Sequence, residues 1–243
     1  MINSKEQREQ QKDEAVKLRE GGKHKEALVM FDEVIAWDKE NDNKRGLIDV
    51  LGHKKIALKL MADNSEGNEK ERLMKETETA AKEGLDLAIK EFGDKSGQVA
   101  TQRAHFASLL NSQEKPEEAL KYLKDSLKHL AGSEAHKAWP LGMKAHSEYL
   151  LGNYKEALKT LQLAQDKLFE GYEKEVEMDD QAQLKLRVWN SGIMLGYAMV
   201  YAKSKKPILA EVYAGAVLAT PDPDNILANR KTEAQRILDS LEG

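Results

Sequence analysis

The amino-acid sequence predicts an all-α protein built from helical hairpins, and three observations support this. The 243 residues include 16 glycines, 5 prolines and 6% aromatic residues, a composition poor in helix breakers. Apolar residues recur three and four positions apart, which is the spacing of one face of an α-helix. A pattern of two such helices joined by a short turn recurs along the chain, as in helical-repeat proteins.

The first hairpin is predicted over residues 5–40. Two amphipathic helices are separated by Gly21-Gly22, a pair that ends the first helix and allows the turn. The sequence Ser4-x-x-Gln7 has the spacing of a capping box at the start of the first helix. The local chemistry therefore supports both ends of this first helix.

Four further hairpins are predicted over residues 44–92, 97–131, 135–175 and 181–221. The hairpin at 44–92 is irregular, with two long helices around a loop at 63–68. Pro116 and Pro207 are predicted in the first turn of second helices, where the missing N–H costs little. A last helix over 224–241 is expected to cap the apolar face that the final hairpin would leave open.

Two segments carry a recognisable repeat motif. They are Leu18-x3-Gly22-x4-Ala27-x3-Phe31 and Gly152-Asn153-Tyr154-Lys155-Glu156-Ala157-Leu158. The motif resembles that of the tetratricopeptide repeat (TPR) family, a helix-turn-helix unit of about 34 residues. Small residues fall at the matching position of the second helices: Ala27, Ala119, Ala157 and Ala210. The resemblance implies a right-handed α-α superhelix of about four to five TPR-like hairpins plus a C-terminal capping helix, in a single domain over residues 1–243.

Charge and composition argue against several classes of protein. A formal net charge of −4 argues against nucleic-acid binding driven by bulk positive charge. The absence of cysteine excludes disulfides, cysteine-ligated zinc and a cysteine nucleophile. No apolar stretch is long enough for a signal peptide or a bilayer span, so we expect a cytoplasmic protein without membrane insertion.

The sequence also lacks the motifs of catalytic and metal sites. The six histidines show neither His-x3-His nor His-Glu-x2-His spacing, so we expect no metal site. There is no phosphate-binding glycine loop and no Gly-x-Ser-x-Gly elbow. We therefore expect no catalytic residues and no cofactor, and a protein that is not an enzyme.

In the TPR family, the first helices of the hairpins line a concave groove. Mapped onto this chain, the resemblance implies partner-binding residues at Lys12, Arg19, Ser108, Asn111, Trp139, His146, Tyr149 and Met199. Aromatic and hydrogen-bonding groups in a groove suit an extended or helical peptide. The alternative is that Trp139 and Tyr149 pack between neighbouring repeats. Val16 stands where a carboxylate-clamp pattern would have Asn, so binding of a chaperone tail is not predicted.

We therefore expect a non-enzymatic adaptor that binds a protein or peptide on its concave face. Two alternatives stay open: a peptide-responsive regulator or sensor, and a scaffold that self-associates through exposed repeat ends. The segment 170–180 carries six acidic residues and one lysine. It is predicted as a solvated helix end that turns near Asp179-Asp180, or alternatively as a docking surface for a basic partner.

Overall fold

The computed structural model describes residues 2–178, 182–223 and 225–242 and confirms the all-α prediction. All regular elements of this described part are helical, and consecutive helices pack against each other. The chain divides into two compact units, Met1–Leu109 and Leu110–Gly243. The single repeat domain expected over 1–243 stays a prediction.

The first unit contains four complete helices and most of a fifth. They are α1 (Lys5–Glu20), α2 (His24–Glu40), α3 (Lys44–Asp63), α4 (Gly67–Phe92) and α5 (Gly97–Ser112), whose last residues belong to the second unit. Each of α1, α2 and α3 packs against the helix that follows it. The core contains Phe31, Val34 and Val50, and the alanines at positions 15 and 27 are fully buried where helices pack closely.

The caps and turns of the first unit follow from local sequence. Ser4 caps α1, because its side chain accepts a hydrogen bond from the backbone N–H of Gln7 at 3.2 Å. The Gln7 side chain accepts from the N–H of Asn3 rather than from that of Ser4, so the box is shifted by one residue. Gly22 has a φ of +80°, a left-handed conformation that glycine adopts without a steric cost.

A buried ion pair joins three helices of the first unit. Arg8 of α1 is 1% exposed, and its guanidinium donates two hydrogen bonds to the carboxylate of Asp38 on α2, at 3.0 and 2.6 Å. The same guanidinium donates to the carbonyl oxygen of Gly46 on α3 at 2.8 Å. Asn43 donates to Asp38 at 2.6 Å and accepts from the Gly46 N–H, so it caps α3 within the same network.

The second unit continues the pattern of paired helices. Its elements are α6 (Pro116–His129), a 3-10 turn (Glu134–Lys137), α7 (Ala138–Leu150), α8 (Tyr154–Glu170), α9 (Tyr172–Met178), α10 (Ala182–Lys203), α11 (Pro207–Ala219) and α12 (Ala228–Glu242). Pro116 and Pro207 lie in the first turn of their helices, as predicted. The alanines at positions 119, 157 and 210 are fully buried.

Apolar packing among the described residues holds the second unit together. One apolar cluster lies between α7, α8 and α10, where Leu141, Leu161 and Ile193 are buried. A smaller one joins α10 and α11 to α12, which buries Ala234 against Ala214 and Val217. The last helix therefore covers the apolar face of the preceding pair.

The acidic segment that follows α8 is only partly solvated. Glu170, Glu173 and Glu177 are exposed, whereas Glu175 is fully buried. Ser133 donates a hydrogen bond to Glu175 at 2.5 Å, and the imidazole of His136 lies 3.2 Å from the same carboxylate. The prediction of a solvated helix end is therefore wrong at Glu175. The turn expected near Asp179-Asp180 lies outside the described residues.

Candidate functional site: an aromatic row and a buried basic cluster

The predicted site residues of the first unit lie on α1 and α5. Lys12 forms ion pairs with Glu9 at 2.9 Å and with Asp49 of α3 at 3.3 Å. Burial alone would lower the pKa of Lys12, but these two carboxylates outweigh it and raise the pKa above its ordinary value. Ser108 is partly exposed on α5. The charge of Lys12 is therefore already balanced within the unit.

Arg19 belongs to a cluster of basic residues that sequence spacing did not reveal. It is 6% exposed, pairs with Glu20, and hydrogen-bonds the Nδ1 atom of His53 on α3 at 2.8 Å. Lys55, two residues further along α3, is 5% exposed. His105 of α5 lies near them, because the charges of Arg19 and Lys55 contribute to lowering its pKa. These four residues are called the basic cluster below.

Burial dominates the electrostatics of the basic cluster. It lowers the pKa of Lys55 from 10.5 to about 7, and the charge of Arg19 adds to the effect. The pKa values of His53 and His105 are also lowered, first by burial and then by nearby positive charge. Asp49 opposes the shift at His53, with its carboxylate 3.7 Å from Nε2. Both imidazoles are therefore neutral at pH 7.

Lys55 is the one member of the cluster whose polar atom has no partner. Its Nζ is buried and makes neither a hydrogen bond nor an ion pair to any described residue. The sequence signal is a lysine within an apolar stripe, because Leu51 and Leu58 on the same face of α3 are buried. Periodicity alone does not distinguish such a lysine from one whose ammonium reaches solvent beside the stripe.

The predicted aromatic residues of the second unit lie on α7. The rings of His146 and Tyr149 stack at 5.9 Å, and the ring of Tyr154, the first residue of α8, lies 5.9 Å from Tyr149. All three side chains are partly exposed, as is that of Trp139. Tyr149 and Tyr154 also pack against the core of the unit. We call His146, Tyr149 and Tyr154, whose ring is tilted against that of Tyr149, the aromatic row.

The environment of Tyr149 extends beyond the row. Burial raises the pKa of its phenol, and the neighbouring Tyr154 and Glu233 add to the effect. Glu233 lies on α12 and is paired with Arg236 at 3.1 Å, so its charge is already balanced.

Two of the predicted site residues in the second unit are part of its framework. Asn111 is buried, donates to the carbonyl of Met143 at 3.0 Å and accepts from the hydroxyl of Ser147 at 2.7 Å. Met199 packs against the apolar cluster that joins α10 to α12. Both residues hold helices together in this structure.

A second aromatic group was not recognised as a set from the sequence. The rings of Tyr197 and Tyr201 on α10 stack with that of Tyr213 on α11, with centroids 4.6 to 6.1 Å apart. Burial, followed by the two neighbouring phenols, raises the pKa of Tyr197 to about 12. The spacing of Tyr197 and Tyr201 in one helix is visible in the sequence, but Tyr213 joins them only through helix packing.

The described residues contain no group of three or more His, Asp or Glu side chains arranged to hold a metal ion. Within the same part of the chain, none of the helices combines the length and apolar composition that a bilayer crossing needs.

No protein-family model matches the sequence, and no curated protein matches it significantly. The resemblance to the TPR family therefore rests on the repeat residues quoted above.

Proposed function

We propose that this chain is a non-enzymatic adaptor whose TPR-like hairpins form a right-handed superhelix and bind a protein or peptide on the concave face. The observation that carries the proposal is the aromatic row of His146, Tyr149 and Tyr154. Aromatic side chains that are partly exposed and held in place by a core lose little entropy on binding, and they are common anchors of interfaces.

The experiment that tests this function is affinity purification followed by mass spectrometry and direct binding of the recovered partner. The double variant Trp139→Ala/Tyr149→Ala is expected to weaken that binding by tenfold or more, since each anchor contributes about 1–2 kcal/mol. Tyr172→Ala is the matched control, because Tyr172 is an exposed tyrosine of the same unit that lies outside the row.

Circular dichroism of each variant separates a loss of binding from a loss of folding. The single variant His146→Ala removes the stacking partner of Tyr149 and tests the row without deleting a tyrosine that packs on the core. A recovered partner that binds the folded double variant as well as it binds the wild type would contradict the groove hypothesis.

A second candidate function, self-association, is favoured by the surface of α11. Ile208 is 75% exposed and Val212, one helical turn later, is 60% exposed, with Leu209 beside them. Adjacent exposed apolar residues are typical of contact surfaces. Sedimentation at several concentrations tests this function: Ile208→Ser/Val212→Ser is expected to abolish association, and a wild-type protein that is monomeric at all concentrations would contradict it.

A further inference from the structure

The basic cluster of the first unit leaves one positive charge without a counterion. The guanidinium of Arg19 is paired with Glu20, and the nearest carboxylate to His53, that of Asp49, is shared with Lys12. Lys55 has no such group within ion-pair distance among the described residues. The acidic residues close to the cluster are therefore already used by other cations.

A buried ammonium without a partner is unstable, and a protein can relieve it in two ways. The lysine can lose its proton, which is why the pKa of Lys55 is lowered to about 7. Alternatively, an anion can enter and keep the lysine charged. Near pH 7 the charged and neutral forms of Lys55 are close in free energy, so an anion that binds the charged form shifts the balance toward it.

The neighbours of Lys55 suit an oxyanion better than a simple halide. Arg19 uses Nε and Nη2 for Glu20 and Nη1 for Nδ1 of His53, which leaves two of its five N–H groups for an oxyanion beside the unpaired ammonium of Lys55. His53 keeps 27% of its side-chain surface exposed and His105 is also partly exposed, whereas Arg19 and Lys55 are 6% and 5% exposed, so the two imidazoles are the more solvent-accessible members of the cluster.

We propose that Arg19, His53, Lys55 and His105 form a binding site for a small oxyanion, a carboxylate or a tetrahedral anion, that contacts the ammonium of Lys55 and the guanidinium of Arg19. This site is independent of the aromatic row, because it lies in the other unit and uses other residues. The oxyanion is either a free solute or a group carried by a larger molecule.

Proton linkage gives the site a definite pH dependence. The groups that face Lys55 are Arg19 from α1, His105 from α5 and His53 on its own helix. Binding requires the charged form of Lys55, so affinity is expected to be highest below pH 7 and to fall above it by up to about tenfold per pH unit. Sulfate and acetate suit this measurement, because neither titrates near neutral pH.

The test is a titration of the full chain with sodium sulfate or sodium acetate, followed through the imidazole signals of His53 and His105 by NMR. Sodium chloride at matched ionic strength controls for screening. We expect saturable shifts in at least one arm. Saturation by acetate alone identifies a carboxylate site, and saturation by sulfate alone identifies a site for tetrahedral anions. Lys55→Met is expected to weaken the binding about tenfold or more.

Lys54→Met is the matched control, since Lys54 is the preceding residue and pairs with Asp32 on the surface. Its titration should match that of the wild type. If Lys55→Met does not fold, the wild-type titration at pH values on both sides of 7 decides the question. Shifts that do not saturate, that chloride reproduces, or that strengthen as the pH rises would overturn the proposal.

Discussion

The ion pair between Arg8 and Asp38 allows the sharpest test of how the first unit is held together. Replacing Asp38 by Leu leaves the guanidinium of Arg8 buried, with the Gly46 carbonyl at 2.8 Å and the partly exposed Glu9 at 2.9 Å as its remaining partners. Arginine cannot escape by losing a proton. The free energy of unfolding is therefore expected to fall by about 3–5 kcal/mol.

The reverse substitution is expected to cost less. In Arg8→Met, Asp38 keeps its hydrogen bond from Asn43 at 2.6 Å, and a carboxylate can also take up a proton. The double variant Arg8→Met/Asp38→Leu removes both charges and is expected to lie within about 1–2 kcal/mol of the wild type, because a buried pair can often be replaced by apolar groups. The two positions should thus show a coupling energy of several kcal/mol.

Urea unfolding followed by circular dichroism measures these differences. Hydrogen exchange of peptides from α1, α2 and α3 should accompany it, since two compact units need not unfold together. The control is Lys54→Met, which breaks a surface ion pair to Asp32 between α2 and α3 and should cost less than about 1 kcal/mol. If Asp38→Leu were no more damaging than this control, or if the double variant lost the sum of the two single losses, the reasoning would be refuted.

Two further predictions concern single buried positions. The pKa of Lys55 is lowered from 10.5 to about 7, so between these pH values the unfolded chain binds more protons than the folded chain. The free energy of unfolding of the wild type should therefore rise with pH across this window. Relative to Lys55→Met, we expect a rise of up to about 1.4 kcal/mol per pH unit. Urea unfolding at several pH values in chloride buffers measures this rise. The control Lys54→Met should show the same rise as the wild type. A difference in unfolding free energy between wild type and Lys55→Met that does not change with pH would count against the prediction. Gly171→Ala should lose about 1–3 kcal/mol, because a Cβ there would lie 2.1 Å from the backbone nitrogen of Ala135. The matched change Gly142→Ala, within α7 and with open space around the new Cβ, should gain up to about 1 kcal/mol, and equal melting temperatures for the two variants would disprove the packing argument.

The helical class and most helix boundaries could be predicted from the sequence, because they depend on local chemistry. The loop expected at 63–68 is found between the end of α3 at Asp63 and the start of α4 at Gly67. Pro116 and Pro207 mark helix starts, since an α-helix tolerates proline without distortion only in its first turn. These features involve residues within one helical turn of each other.

The candidate sites were less predictable. His146 and Tyr149 were predicted to line one groove, and their spacing of three residues within one helix allows the stacking seen in the structure. The basic cluster was not predicted, because its residues come from three helices. Asn111 was predicted to line a groove. In the structure its side-chain amide donates to the carbonyl of Met143 and accepts from the hydroxyl of Ser147, both on α7.

The sequence by itself determined where the helices form and which apolar faces they present, because the 3.6-residue period and the turn residues are encoded over short stretches. Only the tertiary structure decided which polar side chains are buried and with what partner. Arg8 meets Asp38 across 30 residues, and Ser133 meets Glu175 across 42. The physical reason is that burial depends on which helix packs over a side chain, and the local sequence of one helix does not specify that neighbour.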